Sequence, residues 1–300
     1  LPKFDSRGSV DSAVSGAGVT ARWIATSEGS WDNPRRWSSG AVPKSGSLVI
    51  LSNSSTTVTT GITAAEATAR SLRVQGDYTG NIGEAATPVE ISAETCVLNT
   101  TAERVNLKGT FGRLVIGKSP SILTLTADSG GGVKELFVTK AAGRVKVSNV
   151  PVGLMVIEEG TNVEIDGITR YGAAGPHGLD GPDVIVNRRA TLFTQVDEIE
   201  SLRNSGLVTT PGSVGKLVQV SDTAKTVFQT KSGSPIQGSD SFISAGLVVM
   251  EGGGTSQGLM GKIHGGAIAC ADGTKYTNSN LKVEGSATFR NLAGQTVAIA

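Results

Sequence analysis

Short apolar segments, each only as long as one strand, recur along most of the chain. Typical segments are Val105-Asn106-Leu107, Leu114-Val115-Ile116 and Leu123-Thr124-Leu125, and small polar residues or glycine separate one from the next. In many of them apolar and polar residues alternate with a period of two, which is typical of a strand with one buried face. The turn residues interrupt the pattern before a helix could complete three turns. The chain is therefore predicted to be all-β.

The spacing of these segments favours a stacked architecture. Between residues 97 and 164 they follow one another at intervals of 8 to 13 residues. Two or three per turn give coils of about 20 to 30 residues, which is the repeat length of a parallel β-helix or solenoid. β-Sandwich domains are the alternative, because their short strands have a similar spacing. The solenoid is favoured because Asn-Gly, a strong hairpin signal, does not occur, and Asp-Gly occurs at only three places.

The first 45 residues differ from the rest of the chain. They contain all three tryptophans, Trp23, Trp31 and Trp37, among turn-forming residues. The predicted regions are an N-terminal arm and Trp-rich cap over 1–45, a β-solenoid over 46–250, and a Gly-rich loop with a C-terminal β region over 251–300.

Two stretches depart from the strand pattern. Thr63–Arg70 contains four alanines and a glutamate and is a short helical candidate. Arg170–Asp183 is too rich in glycine and proline for a strand and is predicted to be a long excursion. Loops of that length often carry contacts with ligands or partners.

The tryptophans have two interpretations. Trp31 and Trp37 flank a proline turn and can cover the open end of a solenoid, where unpaired strand edges would otherwise promote aggregation. Alternatively they form a partner-binding patch, since tryptophan is enriched at interface hot spots. The cap is favoured, and Trp23 is the tryptophan best suited to a partner. Arg35 and Arg36 either face solvent or meet an acidic partner surface.

The segment 31–43, W-D-N-P-R-R-W-S-S-G-A-V-P, resembles the opening of β-solenoid virion structural proteins of tailed bacteriophages. Those proteins begin with a similar W-x5-W-S-x-G-x-V-P element that runs into the first strand. The later segment 71–83, S-L-R-V-Q-G-D-Y-T-G-N-I-G, also looks like that group. The resemblance covers about residues 23–95, and related openings occur in secreted bacterial surface solenoids.

This resemblance implies a non-enzymatic structural protein on the exterior of a virion. The leading expectation is a capsid decoration, cement or head-fibre protein that binds the major capsid protein through an arm of about residues 1–22 and forms a homotrimer. The alternative is a tail fibre or tailspike component that binds a host surface glycan. A secreted bacterial β-solenoid adhesin is the second alternative.

Composition narrows the range of partners and cofactors. The net charge is +1, so the chain lacks the excess of lysine and arginine that supports nucleic-acid binding. No apolar run reaches the length of a transmembrane helix, so no membrane partner is expected. Two cysteines and two histidines show no metal-ligand spacing. We therefore expect no nucleic acid, no metal and no cofactor.

Two patterns suggest chemistry. Gly112 to Ser119 matches the phosphate-loop pattern G-x-x-x-x-G-K-S, but its four variable residues look like a strand, whereas a phosphate loop opens a helix. In the excursion, Asp180 and Asp183 with Tyr171 are the candidate glycan contacts under the tailspike alternative. Paired carboxylates serve glycoside hydrolysis only at set separations. Aspartates in Gly-Pro-rich loops are more often turn formers, so no catalytic residue is assigned.

Overall fold

The computed structural model describes residues 19–59, 68–118, 120, 122–126, 132–142, 144–148, 152–166, 170–171, 184–195, 198–229, 233–237, 240–251, 256–259, 261–270, 275–276, 281–283 and 285–291. This part of the chain contains two short 3-10 turns, Pro34–Arg36 and Lys140–Ala142, and is otherwise strands and connections. No helix in it has the length and apolar character needed to cross a bilayer.

The strands of the first half are short and closely spaced. They are β1 (Thr20–Arg22), β2 (Leu48–Leu51), β3 (Thr68–Val74), β4 (Val89–Glu90), β5 (Ser92–Asn99), β6 (Arg104–Lys108), β7 (Phe111–Lys118), β8 (Ile122–Thr126), β9 (Val133–Val138), β10 (Arg144–Ser148), β11 (Val152–Ile157), β12 (Asn162–Asp166) and β13 (Arg170–Tyr171).

The second half continues in the same way. Its strands are β14 (Val184–Val186), β15 (Thr191–Thr194), β16 (Glu198–Asn204), β17 (Leu207–Thr210), β18 (Ser213–Gln219), β19 (Lys225–Phe228), β20 (Gly233–Ile236), β21 (Phe242–Ile243), β22 (Leu247–Met250), β23 (Ser256–Leu259), β24 (Gly261–Ile263), β25 (Ala267–Cys270), β26 (Lys275–Tyr276), β27 (Leu281–Val283) and β28 (Thr288–Asn291).

The chain is a parallel β-solenoid, as its strand pattern predicts. Among the described residues every pairing between two strands is parallel. The strands form a long sheet of 17 strands, a sheet of eight strands and a sheet of three. A β-sandwich requires antiparallel pairs, so that alternative does not hold.

Coil length varies more than the sequence pattern predicts. Directly stacked residues are 15 apart from Leu202 to Leu217, 18 apart from Cys96 to Leu114, and 29 apart from Val163 to Leu192. The predicted lower limit of about 20 is therefore too high, because several neighbouring coils in both halves use very short connections between strands.

The core is a set of straight ladders of buried residues, nearly all of them apolar. In the eight-stranded sheet the inward residue of each strand lies directly over its partner in the next coil. The ladder is Val145, Val163, Leu192, Val208, Thr226, Val248, Ile268 and Phe289, all buried. Each fully buried aliphatic or aromatic side chain stabilises the fold by about 1.5–3 kcal/mol.

The structure corrects the prediction of a short helix. Thr68–Arg70, the end of the helical candidate, lies in β3, so the helix prediction is wrong for these residues. Pairing with β2 and β5 overrides the local preference of alanine for helix.

The region 251–300 contributes β23 to β28, which stack in parallel on the strands before them.

Candidate functional sites

The three tryptophans form one buried cluster at the start of the solenoid. Their exposed fractions are 2% for Trp23 and 1% each for Trp31 and Trp37. The ring of Trp37 meets both others edge to face, with centroid distances of 5.1 Å to Trp23 and 4.6 Å to Trp31. Such pairs contribute about 0.5–1.5 kcal/mol beyond burial. Trp37 is therefore the centre of the cluster.

Hydrogen bonds fix two of the three indole rings. Trp37 Nε1 donates to the carbonyl oxygen of Trp31 at 2.7 Å, and Trp23 Nε1 donates to Thr56 Oγ1 at 2.9 Å. The indole N–H of Trp31 is buried and has no hydrogen-bond partner in the described part of the chain. The cluster is thus tied both to its own turn and to the coil beneath it.

The same segment pairs with the outer edge of the chain at the C-terminal end of β1. β1 pairs with β2 on one side. On the other side Trp23 and Trp37 form an antiparallel bridge, Ile24 N donates to the Arg36 carbonyl at 2.8 Å, and Ser38 N donates to the Arg22 carbonyl at 2.9 Å. The outer backbone groups of Arg22, which would otherwise offer a free edge to another strand, are therefore bonded within the chain.

The two arginines differ in their surroundings. Arg35 is exposed, and its backbone N–H is capped by the Asn33 side chain at 3.1 Å. Arg36 is half-buried, with its guanidinium 5.9 Å from the centroid of a Trp23 ring and one N–H donated to the Ser27 carbonyl. Arg36 is part of the cap, whereas Arg35 is available at the surface.

This geometry supports the interpretation of residues 23–37 as a cap. Trp23, the tryptophan that the sequence favoured for a partner, has its ring buried because it packs between Trp37 and the second coil. A buried ring offers no free surface to a partner in this fold. Residues 1–18 of the predicted arm lie outside the described residues.

The predicted excursion interrupts the longest coil. Its first two residues, Arg170 and Tyr171, form β13, so the prediction of a loop is wrong for them, because they pair with β16. The stacked residues Met155 and Val184 of this coil are 29 apart. Tyr171 is the last residue of β13, which pairs in parallel with β16. Asp180 and Asp183 lie outside the described residues.

A surface depression of about 480 Å³ lies on the outer face of the eight-stranded sheet. Two rows of outward residues cross β10, β12 and β15 there: Arg144, Asn162 and Thr191 stack in one row, and Lys146, Glu164 and Phe193 stack in the next. Phe193 has 36% of its surface exposed. The depression is lined by Arg144, Asn162, Val163, Glu164, Thr191 and Phe193.

Glu164 holds the charged part of this depression together. Arg144 Nη2 donates to its Oε2 at 3.1 Å, and Lys146 Nζ donates to its Oε1 at 3.2 Å. The hydrogen bond from Arg144, and next that from Lys146, lowers the pKa of Glu164 below its usual value. Its carboxylate is therefore charged and fixed at neutral pH.

Sequence reasoning missed this depression. Its residues come from three coils, and the offsets that bring them together, 18 residues from Arg144 to Asn162 and 29 from Asn162 to Thr191, are irregular. Period-two alternation does indicate which side chains face outward. Which residues of adjacent coils lie side by side is known only once the register between their strands is known.

The remaining candidate chemistry has a structural explanation. Gly112–Lys118 lies within β7, with Leu114 and Ile116 buried in the core, which confirms the strand interpretation of the G-x-x-x-x-G-K-S match. Cys96 and Cys270 are buried free thiols, and burial raises the pKa of the Cys96 thiol. Among the described residues no group of three or more histidine, cysteine, aspartate or glutamate side chains can hold a metal.

Comparisons with protein-family models, with curated proteins and with solved structures find no match.

Proposed function

We propose that this chain is a non-enzymatic structural protein on the exterior of a bacteriophage particle, where it binds the outer shell as a decoration, cement or head-fibre protein. The observation that carries the proposal is the 31–43 segment. Its sequence resembles the opening of phage solenoid proteins, and its two tryptophans pack beside the first strand of a parallel solenoid here.

The surface chemistry fits a rigid scaffold. Ion pairs connect successive coils on the outer faces: Arg113 Nη2 lies 2.6 Å from Glu135 Oε2, and Lys108 Nζ lies 3.1 Å from Glu90 Oε1. Exposed pairs of this kind add little free energy individually, about 0–1 kcal/mol. Together with the parallel backbone pairing they join neighbouring coils, which suits a protein that spans neighbouring subunits.

The proposal includes assembly into a homotrimer. What supports this part is an apolar row on the outer face of the long sheet, with one half-buried residue in each of five successive coils. The row is Val97, Val115, Phe137, Val156 and Ile185. A row parallel to the solenoid axis matches the same row of a parallel copy. Native mass spectrometry of the full chain tests it, and a monomer at micromolar concentration contradicts it.

The location is tested by cryo-electron microscopy of the native particle that contains this chain. We expect density for residues 19–45 near capsid subunits, in a copy number that matches the shell lattice. Density at the tail, or on a cell surface, would contradict the decoration role and favour the tail-fibre or adhesin alternative.

A further inference from the structure

The depression on the eight-stranded sheet is a regular grid of side chains. Neighbouring strands lie about 4.8 Å apart and residues two apart on one strand about 6.6 Å apart. The rows Arg144–Asn162–Thr191 and Lys146–Glu164–Phe193 therefore cover an area about 10 Å long and 7 Å wide. Parallel pairing fixes the backbone beneath every one of these residues, so the grid exists before any ligand arrives.

The grid combines one apolar surface with hydrogen-bond donors and acceptors carried by a fixed backbone. The exposed ring of Phe193 supplies the apolar surface. Directly beside it in register, the Glu164 carboxylate is an acceptor held by Arg144 and Lys146. Asn162 and Thr191 each provide a donor and an acceptor in the adjoining row. Pockets of this kind select ligands through a few convergent polar groups around an apolar contact.

These features discriminate between classes of ligand. A phosphate or sulfate needs donors on all sides, and the Glu164 carboxylate in the centre repels it. A wholly apolar ligand would desolvate Arg144, Asn162 and Glu164 without replacing their hydrogen bonds. A sugar ring has an apolar C–H face for the phenyl ring and adjacent hydroxyls that donate to a carboxylate and accept from a guanidinium.

We propose that this depression is a saccharide-binding site, with Phe193 packing against a sugar ring and Glu164, Arg144 and Asn162 hydrogen-bonding its hydroxyls. The site involves no bond breaking. It differs from the excursion contacts Tyr171, Asp180 and Asp183, and it is present wherever the chain sits in a particle, so it stands or falls separately from the proposed function.

The test uses the purified full chain on an array of bacterial O-antigen, capsular and common eukaryotic oligosaccharides. Any glycan retained is then titrated by calorimetry. We expect Phe193→Ala to weaken binding at least tenfold by removing the apolar contact. Glu164→Gln, which keeps the shape but loses the charge and the ion pairs, should weaken it by a similar factor.

Ile122→Ala is the control, because Ile122 is also an exposed apolar residue stacked beside an arginine, Arg104, but on the three-stranded sheet. It should bind with unchanged affinity, and equal thermal unfolding of all three variants excludes misfolding. The proposal is overturned if no glycan on the array binds. It is also overturned if Phe193→Ala and Ile122→Ala bind equally, or if inorganic phosphate displaces the glycan, which indicates a simple anion site.

Discussion

At the scale of single residues, the stability of the solenoid depends on a few buried side chains, some large and some polar. No neighbouring residue can replace their contacts. Trp37 is the clearest example in the cap, because it contacts both other tryptophans and donates to the Trp31 carbonyl. Replacing it empties the centre of the cluster rather than its rim.

We expect Trp37→Ala to lower the free energy of unfolding by about 3–5 kcal/mol, the usual cost of deleting a buried tryptophan side chain. Urea unfolding followed by near-ultraviolet circular dichroism measures it. Ile24→Ala is the control, because Ile24 lies in the same segment but is 54% exposed. A loss below about 1 kcal/mol for Trp37→Ala would mean that the cap is not a cooperative part of the fold.

Asn204 is a buried polar residue of the core whose side chain makes several hydrogen bonds. Its Nδ2 donates to the Lys225 carbonyl at 3.0 Å and to Thr226 Oγ1 at 2.8 Å, and its Oδ1 accepts from Gly206 N at 2.8 Å. Thr226 in turn donates to Gln219 Oε1 at 2.8 Å. The side chain therefore satisfies backbone groups at a corner where two coils meet.

Asn204→Ala should cost about 2–4 kcal/mol, because it leaves buried donors and acceptors unpaired at roughly 1–3 kcal/mol each. Chemical denaturation gives the value. Asn162→Ala, on the exposed outer face, should change stability by less than about 0.5 kcal/mol. Similar losses in both variants would show that the buried network has no special energetic importance.

At the scale of elements, the corners between the two main sheets set how closely coils approach. Gly246 lies at such a corner immediately before β22, with φ of +81°, and an added Cβ would be 2.4 Å from the Ala224 carbonyl oxygen. Gly160 lies at the corresponding corner before β12, with φ of +78°, and has nothing within 4 Å of the Cβ position.

Comparing Gly160 with Gly246 separates the energetic cost of a left-handed backbone from the cost of a close contact with the neighbouring coil. Gly160→Ala should cost only the left-handed conformation, about 1–2 kcal/mol. Gly246→Ala should cost about 1–3 kcal/mol more, because the coil below must also shift. Thermal unfolding by calorimetry compares them. Equal losses would mean that the corner before β22 relaxes freely, contrary to the tight stacking in the structure.

The sequence predicts the individual strands well but predicts the lengths of the coils poorly. Period-two alternation identifies individual strands well, as at Arg104–Lys108 and Ile122–Thr126, and the scarcity of hairpin turns identifies parallel stacking. Coil length is not encoded in the alternation, because a corner can hold two residues or a long excursion. The depression around Glu164 and Phe193 depends on that length, so neither residue stands out from the sequence.

At the scale of the whole molecule, a solenoid is a stack with two ends, and each end exposes a row of unpaired backbone groups unless something covers it. At the N-terminal end, the segment 23–38 pairs with β1 and buries the tryptophan cluster against the first coils. The cap therefore affects whether whole molecules associate end to end, and not only the stability of the coils next to it.

Deleting residues 1–45 removes β1 and the cap and leaves the edge of β2 open. We expect this variant to associate end to end and to elute as large, polydisperse species in size-exclusion chromatography with light scattering, with increased thioflavin binding. Deleting residues 1–18 alone retains β1, the tryptophan cluster and every hydrogen bond described for the cap, so it should keep the size and melting behaviour of the full chain. Association that is equally strong in both variants would place the protection in residues 1–18. If neither variant associates, the exposed edge of β2 is not a template for other copies, and the tryptophan cluster serves stability alone.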